Sequence, residues 1–355
     1  MKISICFPQY NRIEYLLKSL EIISQQTYSD LEICISDDCS TDNTVSEIEK
    51  LKGSYRYPIV FNRFEKNQGY DRNLRHSMEL ATGDYCFTLG NDDTLNDSGC
   101  MQRLVNFLSR HNQPEIGYCN YANYSNQQEV ALKALEDGVI GTGKDIALHY
   151  YASFIFVGGF IIRRDVFLKY NTARFDGSVY VQMYFATRSI VEGFRFFTVS
   201  EVMVLSGIFI NDTRANSYRD KLTKSWSKIK IWDGGLLDVV WVIISAFTDA
   251  GVDDRNTNYK IIKKHYVQSM PYWLLEYRNC GGFVDAVGIV IGMYPLKVVG
   301  KYNLAAWHKI KIFINYFTFS AIGLFAPVAL FNRFRFRIYN YLKSRQKKSN
   351  ESVTF

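Results

Sequence analysis

Four short apolar runs within the first 90 residues limit the folds open to this chain more than any other feature. They cover residues 3–7, 31–35, 57–61 and 85–89, and segments with helical spacing of apolar residues separate them. Apolar runs of this length bounded by turn residues are typical of buried strands. Strands that alternate with helices favour parallel pairing. The sequence therefore predicts an α/β fold with a mostly parallel sheet and flanking helices.

Acidic residues follow two of these runs. Asp37 and Asp38 follow the second run after one serine. Asn91, Asp92 and Asp93 come just after the fourth run. Open α/β sheets bind ligands outside the carboxyl ends of their strands. Adjacent carboxylates repel each other unless a cation or hydrogen-bond donors neutralise them, and a divalent metal bridging to substrate phosphates would do so. These residues alone leave a solvated turn with a helix cap equally open.

The net charge is concentrated at one end of the chain. Of 42 Lys and Arg, ten lie in residues 301–355 beside a single acid, so residues 1–300 carry a net charge of −2. A near-neutral body with a basic end argues against a general nucleic-acid binder and favours a local anionic partner.

The seven cysteines form no Cys-x-x-Cys pair, which predicts reduced thiols in a cytosolic protein. The first residues enter a strand at once, and no signal peptide is predicted.

Residues 312–332 form an uncharged stretch between basic residues. Lys309 and Lys311 precede it, and Arg333 and further basic residues follow. Its length is sufficient to span a bilayer, but a helix lying in the membrane interface and a buried hairpin also fit. We expect interfacial attachment to an anionic, cytoplasmic membrane surface, with a single spanning helix as one alternative.

Four segments in register resemble family 2 glycosyltransferases of the GT-A fold: residues 3–12, 31–42, 67–73 and 81–93. The order and spacing agree across roughly the first 125 residues. Within that family, the segments at 67–73 and 89–93 look most like abequosyltransferase-type enzymes of bacterial surface polysaccharides. The resemblance implies transfer of a sugar, with inversion, from a nucleotide-sugar donor to a saccharide or lipid-linked acceptor.

The resemblance also implies which residues contact the donor. Asp37 corresponds to the acid that binds the base, and Asp92 to the last acid of the Asp-x-Asp motif, which meets the metal and the donor diphosphate. The other implied donor contacts are Pro8, Tyr10, Arg12, Asp38, Arg72, Asn91 and Asp93. Mg²⁺ or Mn²⁺ on Asp92 would stabilise the charge of the departing diphosphate. Gly90 stands where the first acid of that motif is usual, which puts metal dependence in question.

The acceptor half is less complete. Family members have a Glu-Asp pair before a helix, and the corresponding positions here are Val181 and Gln182. The nearest acid upstream is Asp176, which we predict as the catalytic base, with a turn residue as the alternative. Arg214 is a candidate phosphate clamp, with an ordinary surface arginine as the alternative.

The sequence divides into a predicted glycosyltransferase domain at 1–215, with a donor half (1–125) and an acceptor half (126–215), a helical region at 216–282, and a membrane-associating region at 283–355. Two other functions were weighed. A sugar-nucleotide pyrophosphorylase should carry a glycine-rich loop after its first strand, whereas residues 8–12 read Pro-Gln-Tyr-Asn-Arg. A catalytically inactive, membrane-bound binding or scaffold protein of a polysaccharide assembly complex stays open because of Gly90 and the missing acid pair.

Overall fold

The computed structural model describes residues 1–211, 213–214, 230–280 and 282–334. The chain forms two compact units, Met1–Ala215 and Asn216–Phe355. Each unit is described by itself below. The finer division of the second unit at residue 282 remains a prediction.

The first unit alternates strands and helices. Its strands are β1 (Ile3–Gln9), β2 (Leu31–Asp37), β3 (Ile59–Arg63), β4 (Tyr85–Thr88), β5 (Asp93–Leu95), β6 (Ile116–Asn123), β7 (Asn126–Ala131), β8 (Gly138–Gly141), β9 (Phe160–Arg163), β10 (Phe196–Ser206), β11 (Phe209–Ile210) and β12 (Thr213–Arg214). Its helices are α1 (Ile13–Ile23), α2 (Thr44–Lys52), α3 (Tyr70–Glu79), α4 (Cys100–Arg110), α5 (Lys144–Tyr150), α6 (Arg164–Tyr170) and α7 (Val181–Val191).

The main sheet has the strand order β3-β2-β1-β4-β9-β6-β10-β5, with β7 added beside β6 and β8 beside β10. Strands β3, β2, β1 and β4 are parallel, as expected for strands joined by helical crossovers. Beyond β4 the sheet is mixed, because β9 lies antiparallel between β4 and β6. The predicted α/β class is confirmed, but the sheet as a whole is less parallel than the sequence predicts.

Burial on both faces explains why the central strands read as unbroken apolar runs. Every residue of β1, β2 and β4 is buried, as in parallel sheets covered by helices on both sides. Helices α1 and α4 bury one face each, and in α4 that face recurs at three- and four-residue spacing, from Cys100 and Met101 through Leu104 to Leu108. These faces and the strands form one hydrophobic core.

One strand begins later than the sequence predicts. The third run begins a strand two residues later, at Ile59. Before β9, a short 3-10 turn (Tyr151–Phe154) precedes Gly158 and Gly159. Gly159 has φ +76 and packs against Cys119, so the chain turns sharply there before it enters the sheet.

The second unit is helical in its described part. The helices are α8 (Asp238–Asp249), α9 (Arg255–Lys264), α10 (Met270–Cys280), α11 (Phe283–Gly292), α12 (Leu296–Val299) and α13 (Ala306–Phe325). No single helix in the described ranges is long and apolar enough to cross a membrane. By length and composition alone, one pair bent by 95° could do so, α13 with the helix Val328–Phe334.

Candidate active site

The candidate site lies where the carboxyl ends of β2, β1 and β4 meet. Gln9, the last residue of β1, is level with Asp37 at the end of β2. The backbone N–H of Asp38 donates to the carbonyl oxygen of Gln9 at 2.8 Å. From the turn after β4, the Asn91 side chain donates to Oε1 of Gln9 at 2.9 Å. The buried Gln9 therefore joins the two acidic segments, through its backbone carbonyl on one side and its side chain on the other.

Asp37 is fully buried and already partnered. Its carboxylate accepts hydrogen bonds from the hydroxyl and the backbone N–H of Ser40, and the Arg63 guanidinium lies 3.4 Å away. Burial raises the pKa of Asp37, while the Ser40 hydrogen bonds and the Arg63 charge oppose that rise. Ser40 therefore orients this acid. The role of Asp37 toward a nucleotide base stays a prediction.

Asp38 fixes a neighbouring loop. Its carboxylate accepts hydrogen bonds from the backbone N–H groups of Gln68 (2.5 Å) and Gly69 (3.0 Å), the two residues before α3. The Asn67 amide also donates to the Asp38 carbonyl oxygen at 3.2 Å. The second acid of the pair thus holds the 67–69 turn against the end of β2, and its predicted donor contact stays untested.

The turn after β4 brings two carboxylates to one point. A Cβ atom on Gly90 would lie 2.8 Å from Oδ2 of Asp93 and 3.2 Å from Oδ1 of Asp92. Any side chain at position 90 would displace those oxygens. The usual first acid of an Asp-x-Asp motif therefore has no room here, and the turn presents acids from consecutive residues instead.

The two acids differ in environment. Asp92 is partly exposed, and the guanidinium of Arg12, from the loop after β1, lies 3.8 Å from its carboxylate. Asp93 is buried and accepts a hydrogen bond from the Gly207 N–H at 3.2 Å. Burial, and then the neighbouring Asp92 charge, raise the pKa of Asp93. Arg12 and Asp92, predicted separately, are brought together.

The residues at this turn fit a divalent cation that is completed by other ligands. Within the described ranges, no three His, Cys, Asp or Glu side chains come together as a ready metal site. Mg²⁺, however, is usually held by one or two carboxylates plus substrate phosphate oxygens and waters. Asp92 and Asp93 supply such carboxylates beside Gly90.

Pro8, Tyr10 and Arg72 were also predicted to contact the donor, and they differ in burial and in their partners. Pro8 is buried inside β1, and Tyr10 is exposed just beyond it. The Arg72 guanidinium contacts the Glu79 carboxylate at 2.8 and 2.9 Å and lies 5.5 Å from the Phe64 ring centre. Arg72 is thus held by its own helix, and its contact with a donor stays a prediction.

Asp176, Gln182 and Arg214 are the residues considered on the acceptor side of the site. Both carboxylate oxygens of Asp176 accept hydrogen bonds from Arg75, at 2.9 and 2.6 Å. This two-pronged ion pair gives Asp176 a structural role, and its role as a base stays untested. Gln182 is buried, and its amide donates to the Ile155 carbonyl oxygen at 3.3 Å. The backbone of Arg214 belongs to β12, but its side chain lies outside the described part of the structure.

Sequence reasoning did not single out Gln9, Asp71 or Arg75. All three are polar residues buried at or near this edge of the sheet. The only sequence signal for Gln9 was its place at the end of a strand, beside the acids. Asp71 and Arg75 read as ordinary helix-surface charges, because their partners are about 100 residues away in the chain.

With this geometry in place, the class of fold can be defined. The structure is similar to the crystal structure of S. aureus TarS 1-349 in complex with UDP, with a TM-score of 0.58 and 14% identity over 91% of both chains. The fold is therefore GT-A, with a helical region after it.

Part of the chain matches a known family in sequence. Residues 4–170 match the profile of Glycosyl transferase family 2, which confirms the predicted resemblance over those residues. One relative is the abequosyltransferase RfbV of Salmonella typhimurium, 47% identical over 97 residues, or 27% of this chain and 29% of that protein.

Another relative is the GalNAc(5)-diNAcBac-PP-undecaprenol beta-1,3-glucosyltransferase of Campylobacter jejuni. It is 30% identical over 157 residues, or 44% of this chain and 50% of that protein. The matched segments thus span half or less of these two relatives.

Proposed function

We propose that this protein transfers a sugar from a nucleotide-sugar donor to a saccharide or lipid-linked acceptor in the synthesis of a surface polysaccharide. One observation carries the proposal: Asp92 and Asp93 lie together at the end of β4, beside Arg12 and joined through Asn91 and Gln9 to Asp37. This arrangement places acids, an arginine and a buried polar strand end where α/β sheets bind nucleotides.

The donor side is supported by this geometry and by the family. The TarS structure similar in fold contains UDP. Asp37 ends β2, which β1 separates from β4, and we propose that it meets the nucleotide base. The base and the sugar of the donor used by this chain are open to experiment.

The chemistry proposed for the turn is stabilisation of a leaving diphosphate. Negative charge develops on that group as the bond to the sugar breaks, and fixed positive charge stabilises it most in the transition state. A divalent cation held by Asp92 and Asp93 would supply Lewis acidity there. The Arg12 guanidinium lies 3.8 Å from the Asp92 carboxylate. We propose that it contacts the same phosphates. We infer a single displacement with inversion at the sugar.

An aromatic pair lies near the acids. Phe156 stacks on Tyr121 with ring centres 4.1 Å apart. A Cβ atom on Gly158 would lie 2.6 Å from the Phe156 ring and 2.9 Å from Oδ2 of Asp93, so this ring borders the acid. Carbohydrate sites combine aromatic surface with a few polar groups, which supports a saccharide acceptor.

A membrane surface is the proposed location of the reaction. In α13, apolar residues are exposed on one side: Trp307, Ile310, Ile314, Phe317 and Phe325. Basic residues lie at both ends of the uncharged segment, and such a helix binds anionic lipid surfaces. The Campylobacter relative is named for a polyprenol-linked acceptor, which is consistent with a lipid-linked acceptor here.

The first experiment screens nucleotide diphosphates (UDP, GDP, CDP and dTDP) for thermal stabilisation, with and without Mg²⁺ or Mn²⁺. A bound nucleotide should raise the unfolding temperature by mass action. The matching sugar nucleotides are then assayed for transfer and for hydrolysis. A protein that binds none of them and releases no nucleotide would contradict the proposed function.

The second experiment replaces Asp92. We expect Asp92→Ala to lower turnover at least about 100-fold, as is typical when a main electrostatic contact of the transition state is lost. Its unfolding temperature without nucleotide should stay near that of the wild type. Asp97→Ala is the matched control, because Asp97 is an exposed acid paired with Arg103 just after β5. Full turnover by Asp92→Ala would exclude the proposed role.

A further inference from the structure

The start of α3 is fastened to the donor side of the candidate site. The two residues before the helix bind the Asp38 carboxylate through their backbone N–H groups. The buried Asn73 side chain donates to the Gln9 carbonyl oxygen at 2.9 Å. The first turn of α3 therefore cannot shift without moving the ends of β1 and β2.

The same turn holds a segment more than 100 residues away. Asp71 is 1% exposed, and its Oδ2 accepts hydrogen bonds from the backbone N–H groups of Gly177 (2.8 Å) and Val179 (2.7 Å). Its Oδ1 accepts one from Val181 at 3.1 Å. One buried carboxylate thus fixes three backbone groups of residues 176–182, here named the acceptor-side loop.

A second buried charge fixes the start of this loop. Arg75, one turn after Asp71, is 4% exposed. It donates from Nε and Nη2 to the Asp176 carboxylate, at 2.9 and 2.6 Å, and from Nη1 to the Asn171 side chain at 3.0 Å. Paired, two-pronged contacts of this kind define orientation as well as distance.

The acceptor-side loop needs such restraint because its backbone is strained. Val179 has φ +70, a left-handed conformation that is a genuine outlier for a β-branched residue. Strained backbone persists only where surrounding contacts determine it. The hydrogen bond from the Val179 N–H to Asp71 is one such contact.

The loop continues to the reaction centre. Gln182, its last residue, lies in the first turn of α7 and donates to the Ile155 carbonyl oxygen at 3.3 Å. Among the described residues, its buried Oε1 has no hydrogen-bond partner. Ile155 is followed by Phe156, whose ring borders the space beside Gly158 and Asp93. A series of contacts therefore runs from Asp71 through the loop to Ile155, and the ring of the next residue, Phe156, lies beside the same glycine as the Asp93 carboxylate.

We propose that Asp71 and Arg75 are positioning residues that hold the acceptor-side loop and the start of α7 against the reaction centre, so that a bound acceptor is aligned with the donor. This rests on the proposed function. One helix turn then contacts both the donor ends of β1 and β2 and the acceptor-side loop. Weakening only its hydrogen bonds with the loop should impair transfer more than donor binding.

The test uses the full-length Asp71→Asn variant. An amide of the same shape offers one acceptor oxygen and turns N–H groups toward backbone donors, so at least one of the three bonds is lost. We expect turnover to the acceptor to fall about 10- to 100-fold, as for misplacement of a reacting group by about 1 Å. The KM for the sugar nucleotide, its hydrolysis by water and the thermal shift with the nucleotide diphosphate should change by less than about twofold.

Hydrogen–deuterium exchange supplies a readout that does not need activity. Backbone amides 177–181 should exchange faster in Asp71→Asn than in the wild type, while β1 and β2 stay protected. Asp165→Asn is the matched control, because Asp165 is also an acid in the first turn of a helix, but is exposed and paired with Arg163. Arg75→Gln serves as the second variant if Asp71→Asn does not fold.

The outcomes separate the two proposals. A wild type without any nucleotide response would overturn the proposed function, and unchanged exchange of amides 177–181 in a folded variant would overturn this inference independently. Normal transfer by Asp71→Asn, or an equal loss of donor binding and transfer, would also overturn it. If Asp176→Asn abolishes transfer without altering exchange, that acid acts as the base and the loop does not depend on its pair with Arg75.

Discussion

At the scale of single residues, the absence of a side chain at Gly90 leaves space for the carboxylates of Asp92 and Asp93. The position of its absent Cβ is bordered by carboxylate oxygens of both Asp92 and Asp93. Asp93 is buried and bonded to Gly207, so it has little freedom to move aside. What reads in the sequence as a missing acid is, in the structure, a space bordered by the carboxylates of Asp92 and Asp93.

We therefore predict that Gly90→Ala lowers the free energy of unfolding by about 1–3 kcal/mol, the usual cost of overpacking a closed site. Urea denaturation measures this directly. Gly53→Ala is the matched control, because Gly53 has nothing within 4 Å of its Cβ position and an ordinary helical conformation. Gly90→Asp should be worse than Gly90→Ala, since it adds a third carboxylate. Wild-type stability of Gly90→Ala would show that the two carboxylates move aside freely.

Residue identity predicted some of the site and not the rest, for a physical reason. Asp37 and Asp92 could be placed from sequence because strand ends position them whatever else the chain does. The engagement of Asp38 with the 67–69 turn, and of Asp71 with the acceptor-side loop, depends on contacts between distant segments. No local pattern of residues encodes such contacts.

At the scale of elements, Glu32 joins three neighbouring segments of the sheet. From β2, its buried carboxylate accepts hydrogen bonds from Ser4 of β1 at 2.6 Å and from the Thr82 N–H at 2.6 Å, just before β4. It also pairs with Lys2 at 2.5 Å. Burial alone would raise the pKa of Glu32, but the hydrogen bonds from Lys2, Ser4 and Thr82 outweigh it and lower the pKa to about 2.

This lowered pKa predicts a pH-dependent contribution to stability. A carboxyl group whose pKa is about 2 when folded and 4.5 otherwise stabilises the protein above pH 4.5 by about 3 kcal/mol. That contribution should be lost as the pH falls from about 4.5 to about 2. We expect Glu32→Gln to be destabilised by a similar amount at pH 7, and its difference from the wild type to shrink below pH 4.5.

Unfolding free energies measured by urea denaturation between pH 7 and pH 3 test this. Glu49→Gln is the control, because Glu49 is an exposed helix residue paired with Lys52 in the same helix, and such surface changes stay within about 0.5 kcal/mol. A pH-independent difference between Glu32→Gln and the wild type would contradict the assignment of the effect to ionisation.

The elements themselves were predictable where local pattern and tertiary environment agree. Strands β1, β2 and β4 are buried on both faces. The apolar runs in the sequence therefore agree closely with the bounds of these strands. The order of β9 and β6 was not predictable, because an antiparallel insertion leaves no mark on the composition of either strand.

At the scale of the whole molecule, the second unit presents an apolar surface that its own helices leave uncovered within the described residues. Helix α13 packs through Ile312, Tyr316, Ser320 and Gly323. Its opposite side carries five large apolar residues that are 53–74% exposed: Trp307, Ile310, Ile314, Phe317 and Phe325. A helix with two apolar sides, within an uncharged segment that has basic residues before and after it in the sequence, matches the chemistry of an anionic membrane interface.

We predict that the double variant Ile314→Glu and Phe317→Glu weakens binding to vesicles of phosphatidylglycerol and phosphatidylethanolamine by at least about tenfold, equivalent to about 1.4 kcal/mol. Two carboxylates would be forced into the apolar interface and would be repelled by the anionic lipid. Co-sedimentation of the full-length protein with the vesicles measures the loss.

Leu168→Glu is the matched control, because Leu168 is also an exposed apolar residue on a helix, but in the first unit. Neutral phosphatidylcholine vesicles should bind the wild type more weakly than anionic ones, since the basic residues beside α13 contribute electrostatically. If the double variant binds as tightly as the wild type, or if its change alters the oligomeric state instead, α13 contacts another protein surface and the membrane proposal fails.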